Sequence, residues 1–163
     1  MIILSGPPAV GKNTVASRIC EAYPLRIAEI DLDHVKCFIP HAPSTDFFLD
    51  LASALGQSML PIYLRAGISV VVHKPFCCFD YVRPFIDICK EYRADYQYFK
   101  LRAPLDELLR RNPDRPIPSP EVDLRRIYDF DETSAHPEGI IIDTVQYGIE
   151  GTVKRILDSV EET

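Results

Sequence analysis

The chain has 163 residues, 47% hydrophobic and 26% charged, and carries a formal net charge of -6. A single domain with a sizeable core fits that length, and the composition excludes a disordered or fibrous chain. The acidic balance also counts against a surface made for nucleic-acid backbone or anionic lipid, which are met by clustered Lys and Arg.

Residues 1–5 form an apolar run that does not alternate with polar residues, the pattern of a strand covered on both faces. Similar runs predict strands over 25–30, 68–73, 96–101 and 140–142. Directly after the first strand comes Gly6-Pro-Pro-Ala-Val-Gly11-Lys12-Asn13-Thr14, followed by a helix with apolar positions at Val15 and Ile19. A strand, a glycine-framed loop and a helix are the setting of a P-loop. Such a loop turns several N–H groups toward one anion, and the helix N-terminus adds partial positive charge. Gly6 and Gly11 allow the tight path, and Pro7 and Pro8 have no N–H. The donors are therefore expected from Ala9, Val10, Gly11, Lys12, Asn13 and Thr14, with the Lys12 ammonium on the β- and γ-phosphates. The strict motif has a Ser or Thr hydroxyl for Mg²⁺ where this chain has Asn13.

The second strand runs into Asp31-Leu-Asp33-His-Val-Lys36, which puts two carboxylates at the carboxyl end of a buried strand, beside the loop. Asp33 suits the orientation of an acceptor hydroxyl and Asp31 the shell of a Mg²⁺ ion, with Asn13 as the other metal contact. The competing expectation is that both carboxylates only cap the next helix. A helical stripe of Phe48, Leu51, Leu55, Met59 and Ile62 follows, with Pro61 expected to kink or shorten that helix. Strand three ends in His73-Lys74, where His73 either touches the acceptor or simply ends the strand. Val82, Phe85, Ile86 and Cys89 make the next core stripe.

After strand four, Pro104 opens a short helix whose end delivers Arg110 and Arg111 toward Arg115. Residues 112–120 carry four prolines and form a stiff lid or connector, ending with Ser119 as a cap and Pro120 as the first helical residue. Ile142-Asp143-Thr144 ends the last strand, and Ile149, Val153, Ile156, Leu157 and Val160 form the final stripe. Strands alternating with helices imply a parallel sheet between helical layers. The five cysteines (Cys20, Cys37, Cys77, Cys78, Cys89) have no C-x-x-C spacing and read as reduced thiols. No signal peptide or span of ~20 apolar residues is visible, so a soluble, cytoplasmic chain is expected.

Three segments carry a resemblance. Lys12-Asn13-Thr14 is similar to the Gly-Lys-Gly-Thr form of adenylate-kinase-like enzymes, which implies that Thr14 holds the α-phosphate. Asp31-x-Asp33 resembles the Asp-x-Asp of shikimate kinases and the Asp-Asp-x-x-Arg of phage-type polynucleotide kinases. In the second comparison Asp33 falls on the catalytic base and Lys36 replaces the arginine for substrate phosphate. Arg111-Asn112-Pro-Asp-Arg115 and the helix after it, within 118–128, look like the Arg-Asn-x-x-Arg segment of the polynucleotide kinases. The chain thus resembles the small P-loop kinases: nucleoside-, shikimate-, gluconate- and polynucleotide-kinase-like. It lacks the Gly-Gly-Gly run of shikimate kinases.

The resemblance implies a three-layer α/β/α P-loop NTPase fold over 1–163, with a parallel sheet in the order 2-3-1-4-5 and a lid at about 110–120. It implies transfer of the γ-phosphoryl of ATP, with Mg²⁺, to a hydroxyl or phosphate of a small-molecule acceptor by a monomer or homodimer. Lys12, Asp33 and Arg115 would carry the reaction, with Arg111 on the nucleotide, Asp33, Lys36 and His73 toward the acceptor, and the acceptor region over 36–50 together with 73–83. A polynucleotide 5′-hydroxyl kinase, which the net charge disfavours, and an ATP-binding regulator or weak ATPase are the alternatives.

Overall fold

The computed structural model describes residues 1–35 and 46–161, with the backbone alone at 46–49. Lys36 and Cys37 lie outside the described residues. In chain order the elements are β1 (Ile2–Ser5), α1 (Lys12–Ala22), β2 (Ile27–Asp31), α2 (Leu32–Val35), α3 (Asp46–Arg65), β3 (Ser69–His73) and α4 (Phe79–Glu91). There follow β4 (Gln97–Arg102), α5 (Leu105–Arg111), a 3₁₀ turn (Asn112–Asp114), α6 (Glu121–Thr133), β5 (Ile140–Asp143) and α7 (Thr144–Glu161).

The five strands form one parallel sheet in the order β2-β3-β1-β4-β5. Strand residues alternate between two apolar layers. Ile2, Leu4, Val71, Phe99 and Leu101 pack with Val15, Ile19 and Ile156 from α1 and α7. Ile3, Ile30, Val70, Val72 and Tyr98 pack with Leu60, Val82, Phe85 and Ile86 from α3 and α4. Both faces of the inner strands β1, β3 and β4 are covered, which is why these read as unbroken apolar runs. β1 sits in the middle, so its carboxyl end and the loop after it open at the crevice between β3 and β4, where such sheets bind ligands.

Two helices depart from expectation. α3 continues to Arg65 through Pro61, which it carries inside the helix. Its buried face is not the Leu51, Leu55, Met59, Ile62 stripe: Leu55 and Ile62 are exposed, whereas Ala52, Ser53 and Leu60 are buried. Gly56 explains the rotation, because a methyl group there would collide with the Leu32 side chain. The helix lies against its neighbours through small residues, which carry little hydrophobic signal. α6 begins at Glu121 with Pro120 at the N-cap, so Ser119 is not the cap. Among the described residues no helix is long and apolar enough to cross a membrane.

Candidate functional site

The loop between β1 and α1 is built from left-handed backbone. Gly6, Ala9 and Gly11 have φ of 137°, 65° and 105°. At Gly6 the requirement is also steric, since an added methyl would strike the Leu101 carbonyl oxygen. Ala9 holds a conformation that a side chain disfavours, the kind of strain found where backbone is shaped around a ligand. The amide of Val10 turns back to the Pro7 carbonyl at 3.4 Å and its side chain enters the core.

Lys12 lies at the start of α1, nearly buried, and its Nζ donates to the carbonyls of Gly6 (2.8 Å) and Pro7 (2.9 Å). Burial brings its pKa down to about 8, and Asp33 partly opposes that shift by favouring the charged form. Arg115 acts on the same ammonium with the opposite sign, so loop, strand-edge carboxylate and lid arginine all lie within electrostatic reach of one point.

Asp31, the last residue of β2, has two duties. Its Oδ1 accepts from the amides of Asp33 (2.9 Å) and His34 (3.2 Å), and its Oδ2 accepts from Asn13 Nδ2 at 3.1 Å. The capping expectation therefore holds for Asp31, which at the same time reaches the loop. Asp33, in α2, also lines the cleft. Among the described residues no group of three or more His, Cys, Asp or Glu is arranged to hold a metal.

The lid is tied by its own polar groups. Asn112 donates to the Ser119 carbonyl (2.8 Å) and accepts from the Ser119 amide (3.0 Å), while Arg115 donates to Ser119 Oγ (2.8 Å). Arg111 donates to Glu107 (2.7 Å) and to Thr144 Oγ1 (3.1 Å). Hydrogen bonds from Arg110 and Arg111 hold the Glu107 carboxyl down at about 2. The 3₁₀ turn and these bonds explain how four prolines span the gap between α5 and α6 without an independent fold.

These elements enclose a cleft of about 1290 Å³. Ala9, Val10, Gly11, Lys12, Asn13, Thr14, Asp31, Asp33, Arg111 and Arg115 all line it. Gly6 stands behind the wall and shapes it. His73 is the last residue of β3, 1% exposed and absent from the cleft lining; its Nε2 sits 2.9 Å from Glu29 Oε1 and its Nδ1 4.0 Å from Asp31 Oδ1, while its successor, Lys74, reaches the cleft. After β5, α7 starts at once, capped by Asp143 Oδ1 on the amides of Val145 (2.9 Å) and Gln146 (3.0 Å). That helix kinks at Gly148 and lends Thr144, Ile149 and Thr152 to the cleft. Lys74 and Tyr81, within the 73–83 part of the expected acceptor region, line the cleft, and so do Arg126 and Phe130, which sequence reasoning did not single out. Arg126 and Phe130, one turn apart on α6, were the readable part of that signal.

A family model described as an AAA domain matches residues 1–137. No curated protein matches by sequence. Among solved structures, a sugar kinase from Janibacter sp. HTCC2649 superposes with a TM-score of 0.72 at 17% identity, covering 98% of this chain and 93% of that one. A gluconokinase from Sinorhizobium meliloti 1021 gives 0.71 at 19% identity, with 99% and 91% covered. The Mycobacterium tuberculosis APS kinase CysC, solved with AMPPNP and APS, gives 0.75 at 12% identity, with 98% and 96% covered. At these identities the likeness is one of fold. Taking the matched span together with the sheet order and the loop after β1, the chain belongs to this AAA-domain family and has the fold of the small P-loop kinases.

Proposed function

We propose that the protein is an ATP- and Mg²⁺-dependent kinase that moves the γ-phosphoryl group of ATP to a hydroxyl of a small-molecule acceptor. The observation that carries this reading is that Lys12, Asp33 and Arg115 line one cleft, with Asp33 and Arg115 acting in opposite senses on the Lys12 ammonium. ATP lies along the loop, its phosphates facing the amides from Ala9 to Thr14 and the dipole of α1. Lys12 exchanges its two loop carbonyls for β- and γ-oxygens. Asp33 accepts the proton of the acceptor hydroxyl as that oxygen bonds to the γ-phosphorus, and the bridging oxygen leaves with ADP. Arg115 swings from Ser119 to the equatorial oxygens, where charge spreads in the transition state.

Magnesium takes oxygen ligands and keeps several waters when it binds nucleotide. Asn13 and Asp31, joined on the cleft wall at 3.1 Å, offer a carbonyl and a carboxylate oxygen and so fit it. When bound, the ion neutralises phosphate charge.

The test is an ATP-consumption screen over hydroxylated metabolites. The expected result is ADP formation that depends on an acceptor and is lost in Asp33→Asn, while affinity for AMPPNP stays within about threefold of wild type. If Asp33→Asn leaves every ATP-consuming activity intact, the regulator or ATPase reading replaces this one. Efficient labelling of a 5′-hydroxyl oligonucleotide would replace the small acceptor with a polynucleotide.

A further inference from the structure

Four residues of the cleft have no part in the phosphoryl chemistry above: Lys74, Tyr81, Arg126 and Phe130. Lys74 follows the last residue of β3, and its amide reaches the Leu4 carbonyl at 3.4 Å, which pins it to the carboxyl edge of the sheet. Its side chain is largely buried, with Nζ 6.0 Å from the centre of the Tyr81 ring. A cation held against an aromatic face recurs where charge and ring are recognised together. Tyr81 and Phe130, from α4 and α6, line the cleft and are 47% and 51% exposed. Large rings exposed in a concavity mark a surface that a ligand covers.

Lys74 and Lys12 both line this cleft. The carboxylates lining the cleft are Asp31, Asp33, Asp50, Glu107 and Asp123. Asp31 holds the α2 amides and Asn13, Asp33 is assigned to the acceptor hydroxyl, Glu107 pairs with Arg110 and Arg111, and Asp123 faces Arg126 at 3.6 Å.

We infer that the acceptor is an anionic hydroxyl compound with a planar ring: Lys74 takes its anionic group, and Tyr81 and Phe130 take the ring. This inference rests on the kinase reading of the same cleft. Charge and ring together set specificity, since an ammonium alone would accept any small anion and the rings alone any flat neutral molecule.

The probe is phenyl phosphate, titrated by calorimetry into protein already saturated with Mg²⁺ and AMPPNP so that the P-loop cannot bind it. Inorganic phosphate and phenol are the single-feature controls. Phenyl phosphate is expected to bind at least about tenfold more tightly than either control. Lys74→Met should weaken it about tenfold and Lys74→Arg restore most of the loss, with AMPPNP affinity unchanged in both. Tyr81→Leu, at a half-exposed position, should weaken phenyl phosphate about fivefold and leave inorganic phosphate alone, with the melting temperature as the check on folding. Equal affinity for phenyl phosphate and inorganic phosphate overturns the inference, as does an unaltered response in Lys74→Met and Tyr81→Leu, and in both cases AMPPNP binding and the kinase reading stand. Failure of AMPPNP itself to bind strikes the kinase reading, and the acceptor assignment goes with it.

Discussion

Replacing Asp131 by Ala tests how the lid helix is fastened to the sheet. Asp131 is the buried anchor of α6, and it meets Lys100 of β4: Nζ lies 3.1 Å from the carboxylate and 2.7 Å from the Asp131 carbonyl, with side chains only 7% and 2% exposed. His136 extends the cluster, with Nε2 3.5 Å from the other carboxylate oxygen and Nδ1 2.6 Å from the Tyr98 hydroxyl. Burial, helped by Lys100, brings the His136 pKa down to about 4, so at neutral pH the ring is uncharged and Asp131 is the anion available to Lys100. Removing it leaves a buried ammonium with backbone contact alone. Breaking such a pair from one side costs about 3–5 kcal/mol. The retained carbonyl bond puts this case near ~3, a large part of the roughly 5–15 kcal/mol that stabilises a domain. At about 2–4 °C per kcal/mol, the melting temperature of Asp131→Ala should fall by roughly 6–12 °C. Differential scanning calorimetry at pH 7 measures it, and urea melts give the free energy. The double variant Lys100→Met/Asp131→Leu removes both charges and should recover to within ~1 kcal/mol of wild type. An Asp131→Ala melt within ~1 kcal/mol of wild type, or a double variant as damaged as the single one, would refute the reasoning.

Three further outcomes follow from the site. Gly6→Ala should weaken ATP by well over tenfold and cost more than ~2 kcal/mol in a thermal melt, because it meets backbone; Gly11→Ala has open space around it and should show only strain, ~1–2 kcal/mol. Affinity for AMPPNP should decline by up to about tenfold per pH unit above pH ~8, since the free Lys12 loses its proton near 8 whereas a bound triphosphate holds that proton; titration calorimetry in buffers of different ionisation heat should show proton uptake in this window. Arg115→Ala should lower turnover about 10²–10³-fold with little change in nucleotide affinity, as expected for a charge engaged mainly in the transition state, and steady-state kinetics measure both.

β1, β3 and β4 were legible because they lie between two apolar layers, so local composition and tertiary environment agree; the outer strands β2 and β5 kept an apolar run although Glu29, Ile140 and Ile141 are exposed. The loop after β1 was legible for a related reason: backbone geometry there demands glycine at Gly6, and the demand survives as a letter in the sequence. α3 was misjudged where packing runs through Ala52, Ser53 and Gly56, whose value is their lack of bulk. The Lys100–Asp131 pair left no local trace at all. Each residue looks like an ordinary surface charge, and only the crossing of α6 over β4 buries them together. His73 and Lys74 show the limit of pattern most plainly, since the one-residue step along a strand that decides which side chain enters the cleft is set by sheet register.

The direct measurement for the whole account is calorimetric titration of ATP, with Mg²⁺ present, into the wild-type protein and into Lys12→Ala. The account predicts one site per chain at sub-millimolar affinity in the wild type and a loss of at least about a hundredfold in the variant. Absence of binding to the wild type at millimolar ATP, or equal binding by both proteins, would contradict it.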